Sequence, residues 1–160
     1  MPPSSASDNP SAHIIRPAEE RDRPAIEAIA QAAYALYLDR MPQKPFPMLD
    51  DYGEHIRQGR AHVLEAAGEI CGYVVFMPKE PGLFLLDNIA VLPGRQKSGY
   101  GRALVRYAEE AGRKQGFRRI CLYTNAAMTE NLAWYPRLGY RVSHRLVENG
   151  YDRVYFVKEL

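Results

Sequence analysis

The spacing of apolar residues changes twice along the chain, and the changes mark its parts. Between Arg23 and Tyr37, apolar residues fall at Ile26, Ile29, Ala30, Ala33, Tyr34 and Tyr37, the spacing of a helix that buries one face. Asp22 stands before Pro24 and fits the N-cap, with proline tolerated in the first turn. Ahead of it, His13 to Arg16 reads as a short strand. Residues 41–48, MPQKPFPM, carry three prolines in eight positions. No helix runs through such a stretch, because proline lacks an amide hydrogen and its ring clashes with the preceding turn. A second, shorter helix is expected from Leu49 to Gln58, ended by Gly59.

From Ala61 the period falls to two, or apolar residues run together. AHVLEA and EICGYVVFM flank Ala67-Gly68, a tight hairpin signal. A third strand, 83–91, is opened by Pro81-Gly82 and closed by Pro93-Gly94. Next, GRALVRYAEEAGRKQG sets Leu104, Val105, Ala108 and Ala111 on one helical face, with Gly116 at the left-handed position that ends a helix. RRICLYT, 118–124, reads as a buried strand, and TENLAWYPRLGY as a short helix ending at Gly139. YRVSHRLV and YDRVYFVKEL flank Glu148-Asn149-Gly150, where Asn-Gly favours a type I′ turn. Antiparallel strands followed by crossovers imply an α/β (α+β) chain: a mixed sheet covered by helices.

Composition narrows the partners. The chain has 160 residues, 46% of them hydrophobic, and a net charge of +2, which calls for neither nucleic acid nor an anionic membrane. No apolar run reaches the ~20 residues of a membrane helix. Residues 1–12, rich in Ser, Pro and Ala, lack the features of a signal peptide and read as a flexible lead before one domain, 13–160. The two cysteines, Cys71 and Cys121, lie in apolar segments and are expected as buried thiols of a cytoplasmic protein. Cys71 lacks a neighbouring His or helix start to activate it. His13, His55, His62 and His144 show no metal-ligand spacing, so no metal is expected.

The segment LPGRQKSGYG lies between strand 83–91 and the following helix. A helix start offers unpaired N–H groups and partial positive charge, and glycines let a phosphate approach them. Gln96, Lys97, Ser98 and Arg102 add donors or charge. Gly94 and Gly99 have the spacing of a P-loop, but Tyr100-Gly101 follows where Lys-Ser/Thr belongs. After Gly99-Tyr100-Gly101, Leu104 stands where a dinucleotide loop has its third glycine. Taken alone, the loop is either a phosphate cradle or a tight turn.

Gln96-Lys97-Ser98-Gly99-Tyr100-Gly101 matches the [Q/R]xxGx[G/A] loop of the GCN5-related N-acetyltransferase (GNAT) superfamily. NIAVLPGRQKSGYGRALVRYAEEAGRKQG resembles that family's strand, loop and helix, and LYTN and NLAWYPRLGY resemble the elements that follow. The resemblance implies a mixed, mostly antiparallel sheet of six or seven strands with about four helices, and a V-shaped splay between strands 83–91 and 118–124. It implies acetyl-CoA as donor, its pyrophosphate on the amides of 97–102 and its pantetheine arm along Ile89 and Val91. A backbone N–H of that strand would polarise the acetyl carbonyl.

Tyr135 matches the tyrosine that the family commonly uses as general acid, and Asn131, four residues earlier, shares its helical face. A tyrosine, with an ordinary pKa of about 10, stays protonated until a thiolate needs the proton. Core packing beside Trp134 or Leu138 is the other role open to it. Pro136 follows, and a kink is expected there. Asp87 sits within an apolar strand, alternating with Leu85, Ile89 and Val91, and is either the general base or the partner of a nearby donor. Asn125 could bind cofactor or acceptor, or cap the next helix.

The family places the acceptor at the first two helices and their connection. Here Tyr34, Tyr37, Phe46 and Tyr52 would shape a pocket for an amine, with Asp50 and Asp51 near its rim; the same residues could equally be core and stiff connector. The function implied is transfer of acetyl from acetyl-CoA to a primary amine, on a small molecule or a peptide, without a covalent enzyme intermediate, by a monomer or homodimer. A non-catalytic acyl-CoA sensor is the alternative.

Overall fold

The computed structural model describes residues 12–160, so the lead expected over 1–12 lies, Ala12 apart, outside the described residues. Seven strands form one sheet: β1 (His13–Pro17), β2 (Ala61–Ala66), β3 (Glu69–Glu80), β4 (Leu83–Val91), β5 (Arg119–Asn125), β6 (Arg141–Glu148) and β7 (Tyr151–Glu159). Their order is β1-β2-β3-β4-β5-β7-β6, antiparallel except for the parallel pair β4 and β5. Four α-helices cover it: α1 (Arg23–Tyr34), α2 (Tyr52–Arg57), α3 (Tyr100–Lys114) and α4 (Thr129–Arg137). This is the mixed, mostly antiparallel sheet with helices that the sequence led us to expect.

A core forms on each face of the sheet. On one, α3 buries Leu104, Val105 and Ala108 against Leu64, Val74, Phe76, Phe84 and Ile120. On the other, α1 buries Ile26, Ile29, Ala30 and Ala33 against Val63, Tyr73, Val75 and Ala90. Each such large side chain taken from water contributes ~1.5–3 kcal/mol.

The ends of the elements follow local chemistry. Both the β2–β3 and β6–β7 turns hold two residues at positive φ, Ala67 and Gly68 in one, Asn149 and Gly150 in the other, as a two-residue hairpin needs. Past α3, Phe117 N–H donates to Gly112 C=O and Gly116 N–H to Arg113 C=O, with Gly116 at φ +86°.

Four expectations are corrected. Asp22 does not cap α1 through its side chain; it accepts from Glu19 N–H and pairs with Arg16 at 2.8 Å, closing a 3-10 turn before the helix. Helix α1 stops at Tyr34, and Tyr37 lies on a 3-10 stretch, Ala35–Arg40. The second helix begins only at Tyr52, where Asp51 Oδ1 accepts from Glu54 N–H, and ends at Arg57. Pro136 does not kink α4, because the helix ends one residue later. Tyr140 N–H donates back to Tyr135 C=O and Gly139 N–H to Pro136 C=O, so the proline falls in the last turn.

Candidate active site

The parallel ladder between β4 and β5 joins only Leu83–Leu86 to Arg119–Leu122. From Asp87 to Val91 on one strand and Tyr123 to Asn125 on the other, the two have no pairing with each other, which is the expected splay. Two cavities lie in this wedge. A wide groove of about 550 Å³ runs past Ile89, Ala90, Val91, Gln96, Lys97, Gly101 and Trp134. A small cavity of about 50 Å³ lies between Asp87, Asn88, Tyr123, Thr124, Asn125, Phe46, Pro47, Tyr151 and Arg153. Tyr34, Ile89, Asn131 and Tyr135 line both.

Backbone groups of β4 face the wide groove. Tyr34 Oη donates to Ile89 C=O at 2.8 Å, and Gln96 Nε2 to Val91 C=O at 3.2 Å, so both carbonyls face away from β3 toward the gap. In an extended strand the N–H of a residue points the same way as its C=O, which presents the Ile89 and Val91 amides to the groove. Past the strand, a 3-10 turn (Pro93–Arg95) leads to Gly99, the first residue outside α3, at φ +82°. That conformation strains any residue with a Cβ and turns the first amides of α3 outward. Gly101 meets a different demand. A Cβ there would lie 3.2 Å from the Trp134 ring, so its bareness lets α4 pack against the start of α3.

The predicted donor residues are placed unequally. Lys97 and Gly101 line the groove, and Gln96 does so while its amide braces Val91. The Tyr100 side chain is buried and packs edge-on against His13, leaving only its backbone for a ligand. Ser98 and Arg102 stand at the loop and first turn without lining the groove. Asn125 Oδ1 accepts from Ala127 N–H at 2.9 Å, closing a turn ahead of α4 without capping it, since Met128 holds the N-cap position; Asn125 lines the small cavity instead of the groove.

Side chains dominate the small cavity. Leu86 pairs with Phe76 and Asn88 with Val75, so Asp87 has no counterpart on β3 and forms a bulge. The bulge breaks the expected alternation. Phe84 and Leu86 before it, and Ile89 and Val91 after it, belong to the core under α3, whereas Asp87 turns toward Asp50 and His55 of the other face. Tyr123 Oη donates to Asp87 Oδ1 at 3.0 Å, and His55 Nε2 lies 2.9 Å from Asp50 Oδ2. One ligand-type atom from each of Asp50, His55 and Asp87 falls within 4.8 Å of the others. Chain spacing hid this grouping, since 32 residues separate His55 from Asp87. Asp50 is thus no rim residue but a half-buried partner of His55, and Asp51 serves as the cap of α2.

The two carboxyls titrate in opposite directions. Burial pushes Asp87 up, and the Asp50 charge adds to it, against the Tyr123 hydrogen bond, His55 and Arg153. Burial acts on Asp50 too, but hydrogen bonding and charge from His55 hold it below the ordinary carboxylate value. Tyr135 is raised, by burial first. Its hydroxyl has no hydrogen-bond partner among the described residues, and the residue lines both cavities. Asn131 Nδ2, on the same helical face, donates to Thr124 Oγ1 at 3.1 Å and ties α4 to β5.

Of the predicted acceptor residues, Tyr34 lines both cavities, Tyr37 only the groove and Phe46 only the small cavity. Tyr52 lines neither. It is buried, donates to Pro47 C=O at 2.6 Å and accepts from Asn88 Nδ2 at 2.7 Å, so it holds the cavity wall from behind. Tyr151 Oη donates to Lys44 C=O and Gln43 Nε2 to Asn149 C=O, pinning the proline-rich connection to the β6–β7 hairpin. The sequence reading missed Asn88, Tyr123, Tyr151 and Arg153. Tyr123 could have been found, since it alternates with Asn125 on one strand face; Arg153 enters only through the β5–β7 pairing.

Comparison with known proteins gives the chain a family. The acetyltransferase (GNAT) family matches residues 24–140, and the chain belongs to that family. It is 30% identical over 139 residues to the uncharacterized N-acetyltransferase YjgM of Escherichia coli (strain K12), covering 82% of this chain and 83% of the relative. It is also 30% identical over 96 residues to the uncharacterized N-acetyltransferase YvbK of Bacillus subtilis (strain 168), 60% of this chain and 62% of that one. Among solved structures, the PaiA N-acetyltransferase of Thermoplasma acidophilum in complex with coenzyme A shares the fold at a TM-score of 0.78 and 15% identity, over 92% of this chain and 99% of the other.

Proposed function

We propose that the protein transfers acetyl from acetyl-CoA directly to a primary amine, with Tyr135 as general acid and Asp87 as general base. The observation that carries the reading is the unpartnered Tyr135 hydroxyl at the junction of a groove wide enough for a cofactor arm and a small polar cavity. The wide groove takes acetyl-CoA, a fit supported by the coenzyme A complex of the similar fold. Its pyrophosphate rests on the outward amides of 99–102 beside Lys97 and its pantetheine arm on the Ile89 and Val91 amides, one of which polarises the thioester carbonyl. The amine enters from the small cavity and attacks that carbonyl as the C–S bond breaks and the C–N bond forms. Asp87, ionised, takes the proton that the nitrogen must lose. Tyr135, kept protonated by its burial, hydrogen-bonds the departing thiolate and gives it a proton.

The test is an acceptor screen with acetyl-CoA, following thiol release across amino acids, polyamines, aminoglycosides and peptides. Acceptor-dependent release lost in Tyr135→Phe supports the reading. Calorimetric binding of CoA with no acetylation of any amine would instead identify a sensor.

A further inference from the structure

Resting on the acetyl-transfer reading, we infer that the acceptor is a small free amino acid, held by its ammonium end at Asp87 and by its carboxylate at Arg153. Both groups line the small cavity, and both are charged groups withdrawn from water. The Arg153 side chain is only 13% exposed. Its guanidinium stacks 4.4 Å from the centre of the Tyr123 ring and 5.2 Å from that of Tyr151, which fixes its plane. It meets Glu148 through one nitrogen at 3.3 Å, and Glu148 is shared with the Tyr155 hydroxyl at 2.5 Å. Among the described residues Arg153 and Asp87 form no ion pair with each other; Tyr123 spans them, its hydroxyl on Asp87 and its ring face under Arg153. The cavity therefore holds opposite charges one tyrosine apart: Arg153 meets Glu148 through one nitrogen and keeps its other donors, and its charge reaches Asp87 without a direct ion pair.

A ligand that completes this arrangement carries an ammonium and an oxyacid a few bonds apart. Size agrees: about 50 Å³ admits roughly three or four water-sized groups, close to the head of an amino acid. Met41, Phe46, Pro47, Ile89 and Met128 form the apolar part of the wall, which suits an apolar side chain. Other amines fit worse. A polyamine or aminoglycoside would set a second cation against Arg153, and a peptide N-terminus would put a neutral amide against the guanidinium donors that Glu148 leaves over.

The experiment compares leucine, leucinamide, isoamylamine and a leucyl dipeptide as acceptors with acetyl-CoA, at equal concentrations of neutral amine. Leucine should exceed the other three in kcat/KM by roughly tenfold or more, the range for losing a hydrogen bond between charged groups. Arg153→Gln should bring the leucine-to-isoamylamine ratio toward one, and Arg153→Lys should keep part of it. Should the glutamine variant fail to fold, the wild-type series still decides. Equal or faster turnover of the amide or the decarboxylated amine overturns this inference while leaving acetyl transfer standing. Turnover of polyamines or peptides without amino acids overturns it too. CoA binding without turnover of any amine overturns the acetyl-transfer reading beneath it.

Discussion

The two cavities that meet at Tyr135 are built in opposite ways. The wide groove offers backbone donors, the strand amides at Ile89 and Val91 and those that follow the left-handed Gly99, along a wall of side chains such as Tyr34, Leu36, Tyr37 and Trp134. The small cavity is made of side chains, with Asp87, Arg153, Tyr123 and Asn88 gathered from three strands and walled by a proline-rich connection. Backbone groups recognise what is constant in a ligand, and most residue types can supply them. Side chains recognise what varies, and each replacement changes the answer. Under the proposed acetyl transfer, that division suits the groove to a common donor and the cavity to one acceptor.

Substitutions that separate the two halves sharpen the comparison. The largest effect is expected from Asp87→Asn, which keeps shape but removes the proton acceptor. Turnover should fall by ~10²–10⁴ with CoA affinity by calorimetry unchanged. Gly101→Val should do the reverse. Its Cβ alone would crowd Trp134 at 3.2 Å, and overpacking of this kind costs ~1–3 kcal/mol, so CoA binding should weaken by about tenfold or more. Acceptor discrimination should persist at saturating acetyl-CoA.

A smaller effect concerns pH. Asp87 must be ionised to accept a proton, and burial with the Asp50 charge raises it, so activity rises with pH through a value above the ordinary carboxylate range. Asp50→Asn removes a negative neighbour, stabilises ionised Asp87, and should move that acid limb to lower pH in a kcat/KM profile. A limb that stays in place or moves upward would break the link between the two carboxyls. The smallest effect is expected at exposed Lys97. Lys97→Ala should raise KM for acetyl-CoA by up to about fivefold, and added salt should narrow the difference.

The donor half was readable in the chain because it depends on neighbours in sequence. Gly99 and Gly101 sit beside the helix they open, and Asn131 and Tyr135 share a face by helical spacing alone. The splay follows from the same segment, since the strand before the loop was recognised as a unit with it. The acceptor half depends on contacts between distant residues. No local pattern announces that Asp87 is a bulge residue; an unbroken alternation gave it the wrong company. His55 and Asp50 reach Asp87 only once α2 packs on the sheet, and Arg153 reaches Tyr123 only through the β5–β7 register. Tyr52 shows the same limit. Its aromatic character is plain in the sequence, but its hydroxyl is spent on Pro47 and Asn88.

The central claim is that the Tyr135 hydroxyl, where the two cavities join, supplies the proton to the leaving thiolate. The most direct measurement is kcat of Tyr135→Phe with saturating acetyl-CoA and an acceptor that the wild type uses well. The account predicts a loss of ~10²–10⁴, because only the hydroxyl is removed and the ring still fills its place. A kcat equal to wild type would contradict it.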